Sequence, residues 1–192
     1  MARGLGTRMR RDDWDAKLSL EQAAMADRGV KGLMPLGSAG RPFLDYVISG
    51  LADAGFDELC LVIGPEHEAV RTQYTVDTPP TRVRLAFAVQ AEPRGTADAV
   101  SAARTFVGGE CFLVINSDNY YPVDVMRALR LLGRPALPGF DRDGLIKEGN
   151  IDPERLARFA LLRVTPEGEL EGIVEKPDPA TMRAFGPHAL FS

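Results

Sequence analysis

The stretch Glu58-Leu59-Cys60-Leu61-Val62-Ile63-Gly64 decides how the rest of the chain is read. Its apolar residues follow one another without a polar break. That is the pattern of a strand covered on both faces, and parallel sheets produce it because crossover helices shield both sides. Just upstream, residues 42–55 put Phe43, Leu44, Val47, Ile48 and Leu51 on one helical face, with Pro42 at the start and Gly55 as the stop. Downstream, the pattern predicts a helix over 65–74, a break at Pro79-Pro80, a strand over 82–89 and a helix over 96–107. A second fully apolar strand is predicted over 111–116 and a further helix over 123–132. Strands and helices that alternate in this way imply an open α/β sheet with right-handed crossovers. Near the C-terminus, 159–164 and 170–177 flank the turn Pro166-Glu167-Gly168-Glu169 and read as a β-hairpin.

Composition narrows the function classes. The chain has 192 residues, of which 45% are hydrophobic and 26% charged, enough for one substantial core and in the range of a single domain over 1–192. A net charge of −4 argues against general affinity for nucleic acid or an anionic membrane, so any anion site must be local. No apolar run approaches the roughly 20 residues of a membrane span, and the first residues are too polar for a signal peptide, which points to the cytoplasm. Cys60 and Cys111 each lie in an apolar run without metal-like spacing, so both are expected as buried reduced thiols.

In open α/β sheets, ligands bind beyond the carboxyl ends of the strands, and several stretches there carry polar chemistry. At the start, Gly4, Gly6, Thr7, Arg8 and Arg10 combine two glycines, which let backbone N–H groups approach an anion closely, with a hydroxyl and directed cations. Ser19 and Gln22 have the form of a capping box ahead of a short helix. Lys31 stands alone in an apolar segment, either as a snorkelling surface residue or as a point charge for a phosphate. Past the strand ending at Val89, Gln90 offers an amide suited to a base edge. Gly95 would let a flat ring lie against the backbone, and Thr96 would cap the next helix. Asp118, after the apolar run at 111–116, is poorly placed for stability if buried, because it must desolvate or find a partner, yet well placed to hold Mg²⁺; the alternative is a turn cap. Asp124 reads as the first-turn acid of its helix. Glu175 and Lys176 would face one ligand only if the strand bends before Pro177.

Taken in order, Gly4-Leu5-Gly6-Thr7-Arg8-Met9-Arg10, Lys31 before Leu33-Met34-Pro35, the 90–100 stretch, Ser117-Asp118-Asn119 and Glu175-Lys176-Pro177 resemble the sugar-phosphate nucleotidylyltransferases, also called nucleotide-sugar pyrophosphorylases. This family includes the glucose-1-phosphate thymidylyltransferases and mannose-1-phosphate guanylyltransferases. The resemblance implies a Rossmann-like α/β fold with an open, mostly parallel sheet, helices on both faces and the C-terminal hairpin. It implies Mg²⁺-dependent transfer of a nucleotidyl group from a nucleoside triphosphate to a sugar 1-phosphate, with release of pyrophosphate. By the same resemblance Gly4, Gly6, Thr7 and Arg8 hold the triphosphate, and Lys31 stabilises charge near the α-phosphate, Arg8 and Lys31 being the catalytic pair. Gln90, Gly95 and Thr96 serve the nucleotide, Asp118 binds the metal, Glu175 the sugar hydroxyls and Lys176 the sugar phosphate. A rotatable amide at Gln90 suits thymine, uracil or guanine, with a pyrimidine favoured. A homo-oligomer is compatible with the family.

The departures from the family pattern carry their own expectations. Only Met1 precedes Ala2, where an apolar strand is usual. Arg3 replaces a small residue, Arg8 and Lys31 are separated by an inserted segment, and Ala160 stands where a glycine often lines the sugar pocket. The resemblance places a second metal-binding aspartate after Ser192, so the sequence reads as truncated at both ends. Two alternatives use the same residues: a catalytically silent nucleotide-sugar sensor, and a metal-dependent glycosyltransferase in which Asp118 serves the donor diphosphate.

Overall fold

The computed structural model describes residues 31–149, 151–185 and 189–191. The chain divides into two compact units, Met1–Arg134 and Pro135–Ser192. In the first, a single 3-10 turn at Lys31–Leu33 leads to β1 (Pro35–Leu36), paired antiparallel with β2 (Arg41–Pro42). Pro42 then caps α1 (Phe43–Asp53), where its fixed φ suits a helix entry. Leu44, Val47, Ile48 and Leu51 form the buried face of α1, the spacing expected of one stripe on a 3.6-residue helix. Each such side chain stabilises the fold by about 1.5–3 kcal/mol through burial. Gly55, at φ +94, ends the helix in a conformation that only glycine adopts without strain.

The unit is built on β3 (Glu58–Ile63) and β4 (Arg84–Val89), which run parallel in register from Glu58 opposite Arg84 to Ile63 opposite Val89. Between them lie α2 (Glu68–Thr72) and a π-turn at Gln73–Asp77, so the helix predicted over 65–74 starts later and ends in a wider turn. Leu59, Leu61 and Ile63 pack with α1, Val70, Tyr74, Val83 and Met126 on one face of the pair. Val62 packs with Ala99 and Ala103, and with partly buried Cys60, Ala88 and Ala102, on the other. The uninterrupted apolar run of β3 is thus explained by cover on both faces. Small alanines let the second helix layer sit close to the strands.

That layer is α3 (Thr96–Ala102) and α4 (Arg104–Val107), broken at Ala103. The single helix predicted over 96–107 therefore bends, with Ala103 itself buried at the bend. The last element of the unit, α5 (Val123–Leu132), matches its predicted range. It buries Met126 in the core and ends at Gly133, a left-handed cap. Asp124 is its first-turn acid, as expected, and receives a bond of 2.6 Å from Arg127.

Residues 111–116 differ from expectation. They belong to no strand ladder among the described residues, although burial still alternates as in extended chain. Leu113 and Ile115 pack on the core, while Phe112 is 53% and Val114 42% exposed. Apolarity alone does not make a strand: a ladder also needs a partner edge, and a composition-based reading cannot see one. Cys111 is exposed for the same reason, correcting the buried thiol expected there, whereas Cys60 is half-buried and burial pushes its thiol pKa up. Among the described residues no helix is long and apolar enough to cross a membrane.

The second unit is an antiparallel sheet in the order β5-β8-β6-β7, made of β5 (Phe140–Asp141), β6 (Leu161–Val164), β7 (Leu170–Val174) and β8 (Leu190–Phe191). The predicted hairpin is β6 and β7, with Leu161 opposite Val174. Its turn is fastened by Thr165, whose Oγ1 accepts from the N–H groups of Glu167 and Glu169 at 3.2 Å each. Leu156, Leu161, Ala189 and Phe191 form its buried core. The helices α6 (Arg142–Lys147) and α7 (Pro179–Phe185) complete the unit.

Candidate functional site

Parallel strands β3 and β4 end side by side, and the polar groups of the first unit gather just past those ends. The backbone N–H of Gln90 donates to the Ile63 carbonyl at 2.8 Å, which carries the ladder one step beyond Val89. This backbone bond fixes the start of the loop. Gln90 is only 4% exposed, a buried polar side chain that must find partners. Its Nε2 donates to the Gly95 carbonyl at 3.1 Å and to Asp98 Oδ2 at 2.8 Å. One side chain therefore spans the loop and ties it to the first turn of α3.

Gly95 is the N-cap of α3 at φ 99 and ψ −177, a region of backbone space essentially reserved for glycine. A Cβ there would meet nothing within 4 Å, so conformation and not crowding demands the glycine. Thr96 differs from expectation: it is the first helical residue, exposed, and no side chain caps this helix end. The oxygen acceptor at the helix start is Asp98, and it serves Gln90. The loop rim carries an exposed Arg94–Glu92 pair at 2.8 Å, worth little in water.

His67, which no pattern in the sequence marks, is the second buried polar residue of this unit, at 4% exposure beyond the end of β3. Its Nδ1 accepts from the Gly64 N–H at 3.4 Å, and its Nε2 lies 3.8 Å from Glu66 Oε1. Asp98 was likewise missed as a site residue. Its signal was available in the sequence, an acid three positions after the loop glycine, where a first-turn side chain can reach back over the loop.

Asp118 lies in an exposed turn after residue 116. The argument that burial forces it toward a metal therefore does not apply, because an exposed carboxylate keeps its water. The turn is held by Asn119, whose Nδ2 donates to Tyr121 Oη at 3.2 Å. Among the described residues no three of His, Cys, Asp and Glu cluster as metal ligands. A single carboxylate sharing Mg²⁺ with phosphate oxygens and water would need no such cluster.

Lys31 opens the 3-10 turn before β1. Gly4, Gly6, Thr7, Arg8 and the capping box at Ser19 and Gln22 lie outside the described residues. In the second unit, β7 ends at Val174, and Glu175 and Lys176 form an exposed bend before buried Pro177. Lys176 has φ 48, the one non-glycine residue with positive φ among the described residues. The chain thus bends before Pro177, at some backbone cost at Lys176.

A family model for nucleotidyl transferases matches residues 25–190. The chain belongs to the nucleotidyl transferase family. The match runs through both units. Among curated relatives of this nucleotidyl transferase, the low-salt glycan biosynthesis nucleotidyltransferase Agl11 of Haloferax volcanii is 26% identical over 160 residues, covering 82% of this chain and 42% of the relative. The UTP–glucose-1-phosphate uridylyltransferase AglF of the same organism is 24% identical over 178 residues, covering 93% and 64%. The chain thus spans about two fifths to two thirds of the length of these two relatives. A crystal structure of UDP-glucose pyrophosphorylase complexed with UDP-glucose superposes with a TM-score of 0.63 at 16% identity, over 98% of this chain and 71% of that one. The α/β fold expected from the sequence is therefore the fold of the family.

Proposed function

We propose that the chain is a sugar-1-phosphate nucleotidylyltransferase acting in the cytoplasm on a nucleoside triphosphate and a sugar 1-phosphate. The observation that carries this reading is the family match across 25–190, together with a buried Gln90 framed by Gly95 and Asp98 at the carboxyl end of a parallel strand. Both units are read as one nucleotidyltransferase domain, because the match crosses the boundary at Arg134. In the proposed reaction an oxygen of the sugar phosphate attacks the α-phosphorus, the bond to the β-phosphate breaks, and pyrophosphate leaves with the electron pair. The protein's contribution is positioning and charge neutralisation, which dominate transfers of this type.

In this reading Gly4, Gly6, Thr7 and Arg8 cradle the triphosphate and Lys31 places a cation near the α-phosphate. Gln90 and Gly95 hold the base, with Thr96 at the start of α3 beside them. Glu175 takes sugar hydroxyls and Lys176 the sugar phosphate, on the bend before Pro177. Asp118 would hold Mg²⁺, which when bound supplies neutralisation of the phosphate charge. A pyrophosphate-release assay over a panel of nucleoside triphosphates and sugar 1-phosphates tests the reading. Release that depends on both substrates, and is abolished in Lys31→Ala and Asp118→Ala, is expected. Near wild-type turnover in either variant removes its assigned role. Nucleotide-sugar binding without release makes the chain a sensor, and sugar transfer from a nucleotide-sugar makes it a glycosyltransferase.

A further inference from the structure

We infer that Tyr74 and Asp45 are positioning residues that set where the Lys31 turn stands, by fixing the first turn of α1 on which it rests. The inference rests on the nucleotidylyltransferase reading and adds to it two residues that need not touch a substrate. The turn at Lys31–Leu33 belongs to no strand and is carried by its neighbours at the N-terminal end of α1. Leu33, 6% exposed, packs in the same core as Leu44. Gly32 lies flat on that leucine, since a Cβ built on it would stand 3.6 Å from both Leu44 Cβ and Leu44 Cδ2. The Met34 carbonyl accepts from the Phe43 N–H at 3.0 Å, and Pro35 is the register partner of Pro42. A shift of residues 42–44 therefore carries the backbone of Lys31 with it.

What holds 42–44 in turn is a matter of direction. Apolar packing presses α1 onto the sheet through Leu44, Val47, Ile48 and Leu51, but burial of that kind is non-directional and tolerates a slide along the helix axis. No side chain caps the helix at Pro42. The directional contact is made three residues on, where Asp45 Oδ1 accepts from the Tyr74 hydroxyl at 2.7 Å. Tyr74 is 4% exposed and stands on the π-turn at Gln73–Asp77, outside α1, so its hydroxyl must find a partner and finds it in the first turn of the helix. A hydrogen bond to a carboxylate is roughly twice as strong as one between neutral groups. An acid at this position also suits the helix dipole, but the dipole does not ask for a buried tyrosine opposite it.

The test uses the full chain with UTP, glucose 1-phosphate and Mg²⁺, in wild type, Tyr74→Phe, Asp45→Ala and Asp45→Asn, well below the Tm of each. A catalytic group displaced by about 1 Å loses about 100-fold in rate, so kcat for pyrophosphate release should fall about 10- to 100-fold in Tyr74→Phe and Asp45→Ala, with both KM values within about threefold. Asp45→Asn keeps an acceptor oxygen and should stay within about threefold of wild type. A bond that serves stability alone would lower Tm and leave kcat at the assay temperature unchanged. Amide exchange of Gly32, Leu33 and Met34 in the unliganded chain reads the hold on the turn without reference to activity, and should be faster in Tyr74→Phe. The inference is overturned if kcat in either Tyr74→Phe or Asp45→Ala stays within about twofold of wild type, if Asp45→Asn loses as much as Asp45→Ala, or if exchange at 32–34 is unchanged. A wild type that releases no pyrophosphate from this or any other pair of nucleoside triphosphate and sugar 1-phosphate defeats the nucleotidylyltransferase reading, and the exchange measurement then still decides whether the bond holds the turn.

Discussion

Replacing Gly95 by alanine should separate the stability of the loop over 90–95 from the nucleotide-binding role proposed for it. At φ 99 and ψ −177, an L-residue is strained by on the order of 1–3 kcal/mol. Space is not the obstacle, since an added Cβ would have no neighbour within 4 Å. The Gly95 carbonyl accepts from the Ala99 N–H at 3.2 Å, which belongs to the helix start, and from Gln90 Nε2 at 3.1 Å, the bond that ties the loop down and is worth about 0.5–1.5 kcal/mol net. Over most of its range the strain exceeds the bond, so the unliganded loop of Gly95→Ala relaxes and gives the bond up. The stability loss is then capped near 1 kcal/mol, a drop of about 2–4 °C in Tm for a chain of this size. If nucleotide binds this loop as proposed, it requires the original geometry, so the remaining strain of up to about 2 kcal/mol weakens affinity by up to about 30-fold. Thermal unfolding and UTP titration measure the two effects. Gly108→Ala is the control: Gly108 also has positive φ, 62°, but lies at the far end of α4, and its replacement should lower Tm without changing affinity. Wild-type affinity in Gly95→Ala, or an equal loss in Gly108→Ala, would refute the reasoning.

Two further outcomes concern pH. Tyr74, 4% exposed, donates to Asp45 Oδ1 at 2.7 Å, and burial followed by the neighbouring carboxylate raises its pKa above the ordinary tyrosine value. Its contribution is complete below the unfolded pKa of about 10 and is lost as pH rises from there toward the folded value. Tyr74→Phe should cost about 1 kcal/mol at neutral pH and flatten the alkaline decline in the urea midpoint above about pH 10. Asp178 accepts from the Thr181 backbone N–H at 2.7 Å, and that bond, with the Thr181 hydroxyl, holds its carboxyl below the usual range. Its contribution is present above the unfolded pKa of about 3.9 and disappears as pH falls through the lower folded value. Asp178→Asn keeps a competent cap but should remove this part of the acid dependence, read as a shallower loss of the hairpin unit's structure below about pH 4.

The elements that were legible in the sequence are those whose burial is local and periodic. The α1 stripe from Leu44 to Leu51, the five-residue apolar run of β3 and the range of α5 each follow from side chains spaced along one segment. What was illegible depends on partners far along the chain. Residues 111–116 look as apolar as β3, but β3 has β4 beside it in full register, and the described residues give 111–116 no such edge. The break at Ala103 is invisible for a related reason: alanine favours helix, and the bend sits where Ala103 packs with Val62, forty-one positions earlier. The two-residue strands β5 and β8 have no periodicity to read at all; their pairing, Phe140 opposite Phe191, spans most of the second unit.

The candidate site divides along the same line. Gln90, Gly95 and Asp118 were singled out by position, just past apolar segments, and the first two do sit together at the end of β4. The physical reasons attached to them fared less evenly. Asp118 was favoured as a metal ligand because burial would demand a partner, yet it is exposed, so its case now rests on the resemblance and on the one-carboxylate habit of Mg²⁺. Thr96 was chosen as a cap because threonine often caps, but Gly95 already occupies that position with the backbone the turn requires. Asp98 carries no mark of its own in the sequence beyond that of a first-turn acid. A helix-dipole preference explains an acid at that position without explaining why it faces a buried amide. The 2.8 Å contact to Gln90 supplies what the pattern lacked: a reason for the carboxylate at that position, since it accepts from a buried amide that ties the loop to the first turn of the helix.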